Sequence, residues 1–235
     1  MSRKLNFILS GLTLLPLFHS TLITKISIVT STALIISSSE SVNANQKSIQ
    51  KWKFYIDRGN KKFNNGDYKA AIDEYTKAIK IRRVEAAPYN LRGAAKAKLG
   101  DHVGAIADYT LAISFYSDLS EDPYLNRAYS KEKLKDFKGA IADYTKAIEI
   151  NPKYWLAYFN RGYLKDELKD FKGAIADYTK AIEFNPEDSM PYTNRGISKE
   201  KLRDMNGACS DWKNAANLGD SKAAMWVKDD CEKFE

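Results

Sequence analysis

The run from Lys135 to Glu149, KDFKGAIADYTKAIE, recurs without a change from Lys169 to Glu183, an offset of 34 residues. A period of that size is one supersecondary unit, which cannot bury its apolar face alone and stacks on copies of itself. Extending the register in both directions aligns Tyr55, Tyr89, Tyr124, Tyr158 and Tyr192, and four residues further on Gly59, Gly93, Ala128, Gly162 and Gly196. Twelve residues later stand Ala71, Ala105, Ala140, Ala174 and Ala208. An aromatic follows at Tyr75, Tyr109, Tyr144, Tyr178 and Trp212, then alanine again at Ala78, Ala112, Ala147, Ala181 and Ala215. Five repeats are in register, roughly 52–84, 86–118, 121–152, 155–186 and 189–219.

Each repeat reads as two antiparallel helices, for example Trp155 to Leu168 and Asp170 to Glu183, joined at Lys169-Asp170. Small residues at fixed spacing let the helices approach closely, and the aromatics fill the wedge where the next pair stacks. Asp67, Asp101, Asp136, Asp170 and Asp204 are placed to cap the second helices. Asn151-Pro152 and Asn185-Pro186 close repeats three and four, because proline cannot continue a helix. That proline is missing after the other repeats (Arg83, Ser117, Asp220), and the step from repeat two to three is 35 residues. Irregular stacking or a hinge is expected there, at Ser114 to Glu121.

This set of positions resembles the tetratricopeptide repeat family, over roughly residues 50 to 218. The resemblance implies an all-α fold, a right-handed α-α superhelical solenoid of about five helix pairs, with a non-catalytic role as an adaptor or assembly factor that binds a partner segment; the alternative is a self-assembling or membrane-tethered structural element. The Asn-Arg-Gly of Asn160 to Gly162 and Asn194 to Gly196 is similar to repeats of exported bacterial, particularly cyanobacterial, members. One departure is the family's aromatic eleventh position, which is Lys62, Lys96, Lys131, Lys165 and Lys199 here. Aliphatic stems are expected to pack there while the ammonium reaches water. Ser221 to Phe234, within 220–234, reads as an amphipathic capping helix, with Ala223, Ala224, Trp226 and Val227 on or near one face.

In the family the first helices line the concave face, and the residue two before the glycine points into it. Here these are Asp57, Leu91, Asn126, Asn160 and Asn194, so three successive repeats offer an amide. A ladder of amides can pair with the backbone of an extended peptide of any sequence. The structural alternative is that each asparagine bonds a neighbouring helix end or water. Beside them the groove positions hold Leu125, Phe159 and Thr193, and also Tyr129, Tyr163 and Ile197, an apolar and aromatic lining suited to peptide capture. Arg58, Arg92, Arg127, Arg161 and Arg195 could hold anions, but Glu74, Asp108, Asp143, Asp177 and Asp211 supply each an acid, and a ladder of ion pairs is the expectation. The full Lys-Asn-Lys-Arg set with which some family members clamp a C-terminal carboxylate is absent.

The formal net charge is +7, but signs alternate, as in Lys131-Glu132-Lys133, and no basic block follows a phosphate backbone. Nucleic acid is therefore not an expected partner, nor is a small-molecule substrate; the expected partner is a protein or peptide. The acids recur at helical spacing with no isolated pair, and no phosphate loop or nucleophile elbow occurs. No catalytic residue, metal site or cofactor is expected. His102 sits at a packing position held elsewhere by Tyr68, Phe137, Phe171 and Met205 and reads as half-core. Cys209 and Cys231 fall on helices that should be neighbours, and are either a disulfide, if the chain is exported, or two small buried hydrophobes.

The first 44 residues differ in kind. Arg3 and Lys4 precede an apolar run, Leu5 to Phe18, and Lys25 precedes a second, Ile26 to Ile36, before a Ser-rich stretch that ends Val42-Asn43-Ala44. This is the order of a signal peptide, with the cut after Ala44 and a folded domain over 45–235. Export would place the domain in the periplasm or, in a cyanobacterium, the periplasm or thylakoid lumen. Each run is too short to span a bilayer, and joining them buries His19 and Lys25. The alternative is an uncleaved membrane anchor over residues 5–37.

Overall fold

A computed structural model describes residues 20–115 and 120–231, with side chains from residue 41 onward. It separates into two compact units, Met1–Gln50 and Lys51–Glu235. Of the first unit, residues 20–50 are helical, and the Leu5 to Phe18 run lies outside the described residues. No helix among the described residues is long and apolar enough to cross a membrane. The cut expected after Ala44 falls inside helix α1, Ser20–Asn64.

The second unit is the solenoid. Repeat one pairs the end of α1 with α2 (Tyr68–Ile81), and repeat two pairs α3 (Ala86–Lys98) with α4 (His102–Phe115). Repeats three to five are α5 (Asp122–Lys133) with α6 (Phe137–Ile150), α7 (Trp155–Glu167) with α8 (Phe171–Phe184), and α9 (Ser189–Lys201) with α10 (Met205–Asn217). Each helix packs on the next in sequence from α2 onward, and α3 also touches α5 while α7 touches α9. The first helices therefore lie side by side along one face of a right-handed solenoid. The irregular joint expected at Ser114 to Glu121 lies partly outside the described residues, yet α4 and α5 still pack directly.

The turn inside each repeat follows from backbone geometry. In repeat four the Lys169 N–H bonds the Asp166 carbonyl and the Asp170 N–H bonds the Lys165 carbonyl, both at 2.8 Å, which closes the helix with a left-handed residue. That residue is Gly66 or Gly100 in the first two repeats but Lys135, Lys169 and Arg203 in the others, with φ from 62° to 64°. Left-handed backbone costs an L-residue roughly 1–2 kcal/mol, and the two carbonyl bonds offset it. The next residue caps the second helix: Asp67, Asp101, Asp136, Asp170 and Asp204 each accept from the N–H three residues on, at 2.8–3.2 Å.

The repeat alanines Ala71, Ala105, Ala140, Ala174 and Ala208 are fully buried, as are those seven residues later, and the aromatic between them is buried in every repeat. A Cβ added at Gly93 would lie 2.7 Å from the Tyr109 ring, so this column is small because the two helices touch there. After α10 the chain forms α11 (Ser221–Trp226), then a π-helical turn over Val227–Cys231. Residues four apart share one face of a helix, which brings Ala223, Val227 and Cys231 against the Trp212 cluster. The expectation for Ala224 fails, since it is exposed. Trp226 meets Trp212 at 5.2 Å, and a disulfide joins Cys209 to Cys231. The expected helix beyond Cys231 lies outside the described residues.

Candidate peptide-binding groove

Which polar side chains remain available is decided by the ion pairs, and these are built alike in repeats two to five. Arg161 donates to both oxygens of buried Asp177, at 2.9 and 2.7 Å, and its remaining arm donates to Thr145 of the preceding repeat at 3.0 Å. Arg92, Arg127 and Arg195 repeat this on Asp108, Asp143 and Asp211, with Thr76, Thr110 and Thr179 behind. Each guanidinium also lies 5.6–5.8 Å from the tyrosine three residues earlier. The arginines are thus stitches between consecutive repeats.

The lysine column departs from expectation. Lys96, Lys131, Lys165 and Lys199 turn their ammonium groups onto the same aspartates, all at 2.8 Å, in place of reaching water. The cause is the buried carboxylate, whose second oxygen can accept a further charged donor in a low dielectric. Lys62 alone keeps its ammonium near the surface, 3.7 Å from Asp67. Repeat one is looser, with a single Arg58 contact to Glu74 at 2.9 Å and a half-exposed Lys77 on the same oxygen at 2.7 Å.

On the first-helix face the predicted residues separate into two kinds. Leu125 packs against the cluster of Ala128, Ala140 and Tyr144, and Phe159 lies 5.8 Å from the Tyr178 ring, so both are half-buried and serve the core. Tyr129 and Tyr163 are 48% and 43% exposed, which leaves two aromatic rings standing on the first helices of successive repeats. The Lys133 ammonium sits 4.9 Å over the Tyr129 ring, and His102 meets that ring edge-on at 6.3 Å. Tyr163 hydrogen-bonds Glu167, and burial first, then that carboxylate, holds its phenol above the ordinary range.

Two of the three ladder amides have neighbours. Asn126 donates to Asn90 of the preceding repeat at 3.2 Å, and Asn160 bonds the Tyr144 hydroxyl. Asn194 makes no side-chain hydrogen bond among the described residues. An amide with one bond keeps capacity for more, and all three asparagines are half-buried. Asn126 and Tyr129 meet in a pocket of about 340 Å³, completed by Ala94, Ala97, Lys98 and Tyr109. The last four were not predicted; reading the repeat register column by column beyond the family's own positions would have found them, because Ala94 and Ala97 stand where later repeats hold larger or charged residues.

Helix pairs whose first members form a continuous face, with rings and amides displayed on it, define a solenoid interaction module. Family models for the tetratricopeptide repeat match residues 56–120, 122–154 and 155–188, together more than half of the chain. The chain belongs to the tetratricopeptide repeat family. A comparison with curated protein sequences finds no match. Among solved structures, MamA is similar at TM-score 0.66 and 24% identity, covering 71% of this chain and 96% of MamA. YrrB, described as a TPR protein with an unusual peptide-binding site, is similar at TM-score 0.67 and 18% identity, over 80% of this chain and 96% of YrrB. The first TPR domain of Spaghetti (RPAP3), solved with the HSP90 peptide SRMEEVD, reaches TM-score 0.50 and 26% identity, over 51% of this chain and 94% of that one.

Proposed function

We propose that this chain is an exported, non-catalytic adaptor that binds an extended segment of a partner protein along the face formed by its first helices. The observation behind this is the pair of exposed rings, Tyr129 and Tyr163, beside half-buried Asn126 and Asn160 on the first helices of successive repeats. Exposed tyrosine offers large contact area at little conformational cost, and amides pair with backbone irrespective of sequence. The arginines and their lysine partners are committed to internal pairs, so burial and backbone pairing are the available means of recognition. That YrrB carries a peptide-binding site and the RPAP3 domain holds a peptide supports the reading, since both share this fold.

Export is part of the proposal. The charged start, apolar runs and small residues before Asn45 support it, as does a disulfide pairing of the kind that persists in oxidising compartments. Full-length chain used as bait on native extracts, with the triple variant Asn126→Ala, Asn160→Ala and Asn194→Ala beside it, tests the binding role. The expected result is a partner retained by the parent and lost by the variant, with helicity unchanged by circular dichroism. Equal retention by both would refute the asparagine ladder, and recovery of the chain alone would favour self-assembly.

A further inference from the structure

One column of the repeat register changes its chemistry along the array. Eight residues after the first-helix tyrosine stand Ala97, Glu132 and Asp166 in repeats two, three and four. In repeat four the Asp166 carboxylate accepts from the Tyr178 hydroxyl at 2.9 Å and from Ser198 Oγ of the next repeat at 2.8 Å. In repeat three Glu132 hydrogen-bonds Tyr144 in the same way. Burial raises the pKa of both acids, as expected for carboxylates enclosed between helices.

In repeat two the donors are present and the acid is not. Tyr109 stands at the place of Tyr178, and Ser130 at the place of Ser198. Ser130 is fully buried, and its Oγ has no hydrogen-bond partner among the described residues. A buried hydroxyl left unpaired is costly, and native structures avoid it unless something else completes the site. Beside Ala97 is the 340 Å³ pocket, walled by Tyr109, Asn126 and Lys98. Lys98 has no ion pair among the described residues, whereas the nearby Lys133 is taken by Glu132 at 4.0 Å. The pocket therefore has room for a side chain that ends in a carboxylate, with Tyr109 and Asn126 in its wall and, at its edge, Lys98, a cation without an ion pair among the described residues.

We propose that the pocket between repeats two and three takes the side-chain carboxylate of a glutamate or aspartate in an extended partner segment. The partner's acid supplies from outside the acceptor that Asp166 supplies from within. A side chain is favoured over a chain end because the first-helix face continues on both sides of the pocket, so a bound segment runs past it. The proposal rests on the peptide-binding reading above and gives that site its partner chemistry.

The test is titration of isotope-labelled full-length chain, followed by NMR, with three probes: N-acetyl-glutamate N-methylamide, its glutamine analogue, and N-acetyl-alanine with a free C-terminal carboxylate. The capped glutamate is expected to shift resonances at Ala97, Lys98 and Asn126 saturably, and the glutamine analogue to bind about tenfold more weakly, as loss of a charged hydrogen bond implies. Tyr109→Phe should weaken the glutamate probe by a similar factor. Ala97→Asp installs repeat four's own solution and should abolish probe binding without lowering the thermal midpoint. Equal binding of glutamate and glutamine probes, tighter binding of N-acetyl-alanine, or no saturable shift at the pocket would each overturn the proposal. Partner retention unchanged in Ala97→Asp but lost in the triple-asparagine variant would remove the pocket and leave the groove standing. Retention unchanged in both would remove the groove reading, while the probe titration still decides the pocket on its own.

Discussion

Replacing Asp177 by Asn keeps its shape and removes its charge, which leaves Arg161 and Lys165 facing each other across a neutral amide. Asp177 is buried, and three charged contacts of 2.7–2.9 Å converge on it. Breaking a buried ion pair by removing one partner costs about 3–5 kcal/mol. The Arg161 side chain keeps 15% of its surface in water and the Lys165 side chain 22%, so part of the stranded charge is rehydrated. The expected loss is therefore about 2–3 kcal/mol. Repeat one supplies an internal control, because Glu74 is equally buried but its two partners, Arg58 and Lys77, are 49% and 47% exposed and each bonds it through a single nitrogen. Glu74→Gln should cost about 1 kcal/mol, near the range of exposed pairs. Urea denaturation followed by helical circular dichroism measures both, and hydrogen exchange should place the Asp177→Asn effect in α7, α8 and the adjoining helix that carries Thr145. Equal losses at the two sites, or a loss under about 0.5 kcal/mol at Asp177, would refute the claim that burial sets the strength of this ladder.

Reducing the Cys209–Cys231 disulfide, which closes a loop of separation 22, should cost about 3 kcal/mol by loop entropy; hydrogen exchange should show the loss confined to α10, α11 and the π-helical turn. Gly196→Ala should destabilise by about 1–3 kcal/mol through overpacking, because its Cβ would lie 2.4 Å from the Trp212 indole nitrogen. Gly162→Ala should cost less, since the same clash is 3.0 Å and Ala128 already occupies that column in repeat three; paired thermal melts compare them. Asp220 caps α11 and accepts from Thr193 at 2.6 Å. Its pKa is lowered although burial acts against this, because the bonds from Thr193, Ala223 and Lys222 outweigh it. That stabilisation is present above the unfolded carboxylate value and is lost as pH falls through the lower folded one. Asp220→Ala should therefore cost about 1 kcal/mol at neutral pH and progressively less as pH drops below about 4.

The family, the number of helix pairs and the capping aspartates were legible because each rests on a local rule repeated five times. A 34-residue period, a small residue opposed to an aromatic, and an acid after the turn are all one-dimensional signals. The groove was only partly legible. Asn126 and Tyr129 could be placed on the open face by register, but Leu125 and Phe159, one position away, turn into the core, and half a helical turn cannot be divided that finely by pattern alone. The lysine column misled for a related reason. Whether an ammonium reaches water or a carboxylate depends on an acid twelve residues away on another helix, which no local pattern records.

What the sequence by itself determined was therefore everything that recurs with the repeat: helix type, helix order, turn positions and the core's small-to-large pairing. Tertiary structure decided what differs between repeats. Only stacking could show that Arg161 reaches Thr145 of the repeat before it, that Ser198 finds Asp166 while Ser130 finds no partner among the described residues, and that Ala94 and Ala97 leave a pocket. These are contacts between neighbouring units, and the free energy of a solenoid is divided between the unit and its interface. A period read along the chain describes the unit; the interface exists only once two units are packed.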